Sequence, residues 1–116
     1  MKRVISLEEI AITAVAIYFL YYQTLGMATW LLVVLFFTPD ISMLGYLAGN
    51  KAGAISYNIF HHRGLAVAVA SFGYFLDLQG MITIGLLLFA HASFDRIFGY
   101  GLKYSSGFKH THLGDL

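Results

Sequence analysis

Residues 81–96 read MITIGLLLFAHASFDR: an apolar run, then His91 and Asp95 four residues apart. On a helix that spacing puts both side chains on one face. The apolar stretch extends from about Gly80 to Tyr100, close to the roughly 20 residues a helix needs to cross about 30 Å of hydrocarbon. Ionisable groups at such depth are costly and normally face a bundle interior or a water-filled cavity. The stretch therefore predicts a membrane helix with a polar stripe turned towards partner helices.

The rest of the chain agrees. Of 116 residues, 59% are hydrophobic, 16% aromatic and 11% charged, with one proline and no cysteine. Mean hydropathy is +0.73, whereas a soluble domain carries about a quarter charged residues. A disordered chain, a disulfide scaffold, a thiol enzyme and a Cys-ligated zinc finger are excluded. A formal charge of +1 gives no reason to expect a nucleic-acid partner. No G-x-G-x-x-G or Walker pattern is present, so no nucleotide is expected, and no serine has a nucleophile-elbow context. The class is all-α: an integral membrane bundle of four transmembrane helices with membrane lipids as its surroundings.

Working outward, the first apolar stretch runs from about Leu7 to Gln23, entered through Ser6-Leu7-Glu8-Glu9, a capping-box pattern. Lys2-Arg3 looks like the start of a leader, but Glu8-Glu9 and Tyr21-Tyr22-Gln23 do not fit one, so this stretch is read as retained. The second stretch starts at Gly26 and either continues through Thr38-Pro39-Asp40 to about Gly49 or breaks at Pro39 and restarts. The third lies between Ala52 and Leu76, interrupted by His61-His62-Arg63. Residues 1–101 form the transmembrane domain under this reading, and 102–116 a cytoplasmic tail. All seven Lys and Arg fall on one side of the four-helix arrangement, Arg63 least comfortably. The positive-inside rule then places both termini in the cytoplasm and the protein in the inner (plasma) membrane as a multi-pass chain.

In antiparallel neighbours, residues equally far from a short turn lie at equal depth. Turns near residues 24–25, 50–51 and 78 put Glu9, Asp40, His61 and Asp95 in one layer, with His91 one helical turn away. Carboxylates packed together repel unless a cation lies between them. Histidines and carboxylates projecting into a helical bundle suit a mono- or di-metal site. The expected ligands of a divalent metal (zinc, manganese or iron) are Asp40, His61, His91 and Asp95. Secondary candidates are Glu9, Asn58, His62, His110 and His112. Plainer roles compete: Glu8 and Glu9 suit a helix N-terminus, His61-His62-Arg63 suits a loop, and His110 and His112 suit an ordinary tail. Gly45, Gly49 and Gly53 repeat a small residue every four, which fits close helix packing inside the chain or a homo-oligomer contact.

Five segments carry a family resemblance: PDISMLGY (39–46), YNIFH (57–61), HASFDR (91–96), GYGLKY (99–104) and FKHTHLG (108–114). Together they resemble the small bacterial membrane proteins grouped as domain of unknown function 4260, over essentially the whole chain. The resemblance implies a short multi-pass membrane protein. Function is read from the residues: a His/Asp cluster near the cytoplasmic face binding a divalent metal, acting as a hydrolase or oxidoreductase on a membrane-associated substrate. The alternative is a non-enzymatic oligomer, an ion or proton transporter or assembly factor, using the same cluster as a relay.

Overall fold

The computed structural model describes residues 2–98, 101–102, 110–111 and 113–115. Five α-helices carry the fold: α1 Lys2–Gln23, α2 Thr29–Phe36, α3 Asn50–Phe60, α4 Arg63–Phe75 and α5 Gln79–Ile97. A 3-10 helix, Thr38–Ala48, connects α2 to α3. Two-residue strands β1, His110–Thr111, and β2, Gly114–Asp115, pair antiparallel with Thr111 opposite Gly114. Three segments are long and apolar enough to span a membrane: Arg3–Gln23, Thr29–Ala48 and Gln79–Ile97.

Local chemistry sets the boundaries, correcting some readings and deciding between others. α1 begins at Lys2, so Ser6 is no cap. Its hydroxyl donates instead to the carbonyl of Ile97 at 2.9 Å, satisfying one of the acceptors that the end of α5 leaves open. The second stretch does break: α2 ends at Phe36 and the 3-10 helix has Pro39 in its first turn. Thr38 closes the preceding helix, donating to Leu35 O at 2.6 Å. The third stretch is two helices with a break at His61-His62. α4 has 13 residues, about 20 Å at the α-helical rise and shorter than the hydrocarbon layer. Arg63, awkward inside a continuous helix, is the first residue of α4.

α5 is the centre of the bundle, packed between α1 and α4, while the 3-10 helix folds back on α3 as a separate hairpin. Burial is inverted relative to a soluble protein. The buried apolar residues are mostly small, such as Ala16, Ala54, Ala66, Ala90 and Ala92, and the largest fully buried side chains are Tyr57, His91 and Ser93. Trp30, Leu47, Phe72, Tyr74 and Phe75 point outward. This pattern is consistent with apolar surroundings, in which helices associate through close packing of small residues and polar contacts. A Cβ at Gly85 would lie 2.5 Å from Ala70 N and 2.6 Å from Ala70 Cβ. Gly45 and Gly53 are used inside the chain: Ser56 fills the space before Gly45, and the Tyr46 ring lies against Gly53.

Gly85→Ala should lower the melting temperature in detergent, at a cost of about 1–3 kcal/mol, because the backbone of Ala66 and Ala70 blocks the added methyl. Gly80→Ala, which meets nothing within 4 Å, should cause no loss. Equal effects in a thermal-unfolding assay would contradict the close α4–α5 packing.

Candidate metal centre

Three elements bring four donors to one place. α5 supplies His91 and Asp95 from one face, with the His91 ring fully buried. Asp40 comes from the first turn of the 3-10 helix, where the break after Phe36 turns its carboxylate towards α5. His61 is the residue that ends α3, held by its backbone N–H donating to Tyr57 O at 3.0 Å.

His91 Nε2 lies 3.0 Å from Asp40 Oδ1 and 3.3 Å from Asp95 Oδ2. His61 Nε2 lies 3.3 Å from Asp95 Oδ2 and 3.5 Å from Asp40 Oδ1. One ligand atom from each residue falls within 4.8 Å of all the others. A tetrahedral ion with bonds of about 2.0–2.1 Å separates its ligand atoms by about 3.3 Å. An octahedral ion with bonds of about 2.1 Å separates adjacent ligands by about 3.0 Å. The four nitrogen-to-oxygen separations lie within this range or just above it.

The surroundings prepare the donors. His61 Nδ1 lies 2.9 Å from Tyr57 O, and a carbonyl only accepts, so Nδ1 carries the proton and the neutral ring presents a lone pair at Nε2. That Nε2 is buried and has no aligned hydrogen-bond partner among the described residues, as expected of a nitrogen reserved for another ligand. The Tyr57 ring stacks on His61 at 3.8 Å and its hydroxyl donates to Asp95 Oδ2 at 3.4 Å. Burial, and then the charges of Asp95 and Asp40, push the Tyr57 phenol above its ordinary value, keeping it a donor. Phe36 and Phe37 wall the His91 ring. Asp40 is 38% exposed, so the group opens on that side. A groove of about 530 Å³, lined by Pro39, Ser42, Ser56, Phe60 and Leu88 among others, runs beside it.

Two of the secondary candidates, Glu9 and His62, have other partners. Glu9 is buried but accepts from Arg63 Nη1 at 2.7 Å, away from the group. His62 caps α4, its Nδ1 accepting from Leu65 N at 3.1 Å. Asn58 is half-buried on α3. His110 contributes backbone to β1, with its side chain outside the described residues, as is all of His112. Tyr57 was missed, although Tyr57-x-x-x-His61 has the same one-turn spacing that identified His91 and Asp95.

No curated protein and no solved structure matches the chain. The family model described as domain of unknown function (DUF4260) matches residues 2–116. A mainly helical, apolar chain with four clustered His and Asp donors thus belongs to the DUF4260 family.

Proposed function

We propose that this protein binds a divalent metal within the membrane through Asp40, His61, His91 and Asp95, and uses it on an amphipathic, membrane-associated substrate. The observation that carries this reading is the set of 3.0–3.5 Å separations among two imidazoles and two carboxylates, with the buried His61 Nε2 lacking an aligned hydrogen bond among the described residues. Two carboxylates would balance the charge of a dication, and mixed nitrogen and oxygen donors suit zinc, manganese or iron. Such an ion polarises a substrate oxygen or lowers the pKa of bound water, which serves hydrolysis; iron or manganese would add redox chemistry.

The protein's own residues would do the rest. Tyr57 orients Asp95, the Tyr57 carbonyl fixes the His61 tautomer, and Phe36 and Phe37 keep water from His91. The exposed edge of Asp40 leaves an approach open, and the neighbouring groove offers room for an apolar chain. In the orientation set by the Lys and Arg distribution, the site opens towards the cytoplasm from a multi-pass position in the inner membrane.

Elemental analysis of detergent-purified protein tests the reading. Wild type should hold about stoichiometric metal, and Asp40→Ala and His91→Ala should each lose it, since every donor is shared by one ion. Absence of metal after reconstitution with zinc, manganese and iron would overturn the proposal and leave the relay of protons as the use of the cluster.

Two further outcomes are expected. Tyr57→Phe should keep the metal but weaken its affinity about 10- to 100-fold, as loss of a ligand's supporting hydrogen bond does; metal competition with a chelator reads this. Because the ion would join the hairpin to α5, metal at about 100 times Kd should stabilise the wild type by about 2.7 kcal/mol, seen as a raised melting temperature. Asp40→Ala should show no such rise.

A further inference from the structure

A second polar group stands at the same end of α5 but uses none of the four clustered donors. Glu9, 6% exposed, pairs with Arg63 Nη1 at 2.7 Å. The same nitrogen lies 3.4 Å from the hydroxyl of Ser93, which is fully buried. The Arg63 guanidinium stands over the Phe89 ring at 5.8 Å. On α5, Phe89, Ser93 and Arg96 are spaced four and three apart and share one helical stripe. Arg96 is half-buried, within electrostatic reach of both Arg63 and Glu9, and in no ion pair with a described residue.

Two guanidinium cations therefore share one carboxylate. Asp40 and Asp95 are committed to His61 and His91, and Glu8, the neighbour of Glu9, is exposed. A net positive charge in a half-buried setting is costly without a further anion. The location says where that anion would come from. Arg63 is the first residue of α4 and Arg96 the penultimate residue of α5. The Ser6 bond to Ile97 O brings the first turns of α1, with exposed Arg3, to the same end. Helix ends bearing arginine are where membrane helices meet charged headgroups, and the guanidinium fork matches the oxygens of a phosphate.

We propose that Arg63 and Arg96, with Arg63 steadied by Ser93, form a binding site for a phosphate-bearing anion, separate from the His/Asp group and not dependent on metal binding there. Arg63 and Arg96 supply charge and paired N–H donors, and the buried Ser93 hydroxyl helps hold Arg63 in place. Glu9 holds Arg63 in place and limits affinity by competing for it.

The test is a thermal-shift titration of detergent-purified protein with dihexanoyl phosphatidic acid and with inorganic phosphate, dihexanoyl phosphatidylcholine serving as the neutral control. Wild type should be stabilised by a phosphate-monoester ligand and not by the control. A shift with both ligands means the phosphate suffices, and a shift with the lipid alone means a headgroup is the natural source. Arg96→Gln should weaken binding about ten- to a hundredfold, the loss expected for charge-assisted hydrogen bonds. Glu9→Gln should bind at least as tightly as wild type, which a purely structural role for Glu9 does not predict. No shift in wild type, or equal binding by Arg96→Gln, would overturn the proposal. Metal content measured on the same Arg96→Gln preparation should match wild type, so failure here is distinct from failure of the metal site.

Discussion

The contact of 3.0 Å between Asp40 Oδ1 and His91 Nε2 is where the two halves of the molecule are joined. One half is α5 between α1 and α4; the other is the hairpin of the 3-10 helix and α3. Each half packs well on its own, and polar side chains from both meet at the join. In surroundings of low dielectric such a network is strong when complete and expensive when a member is missing. Loss of any one donor leaves the others buried and poorly matched. In a bilayer such an apolar exterior would give no compensating force, since lipid tails solvate leucine as well as another helix does.

That constraint explains why the interior is polar and small while the surface is large and apolar. Gly85 against Ala70, and Gly53 against Tyr46, let backbones approach until the few polar groups are within reach of each other. Bulk is spent on the outside, where Trp30, Phe72, Tyr74 and Phe75 face the surroundings. A core of alanine, serine and histidine would leave a water-soluble protein of this length without a driving force to fold. In a bilayer the same core is what positions the site.

Much of this was legible from spacing alone. His91 and Asp95 declare themselves by interrupting an apolar helix one turn apart. Counting outward from the turns placed Asp40 and His61 at their depth, because short connections between antiparallel helices fix height. Counting does not fix direction around the bundle, which is why Glu9, placed in the same layer, pairs with Arg63 instead. Ser6 looked like a cap because its true acceptor, Ile97 O, is 91 residues away. The glycine repeat showed close approach but not its partner, which in the fold is Ser56 for Gly45 and Tyr46 for Gly53.

The 3-10 helix from Thr38 to Ala48 has a geometric consequence of its own. It has 11 residues, and runs of more than three or four are uncommon because the hydrogen bonds are poorer. Each residue advances about 2.0 Å in this form against about 1.5 Å in an α-helix. Rewinding the segment to α would shorten it by about 5.5 Å, close to one α-helical pitch. Asp40 sits near its fixed end, while Gly49, at φ +114°, links its other end to α3. Because α3 folds back from that end, the length of the segment sets how far along the return His61 must lie to meet Asp40.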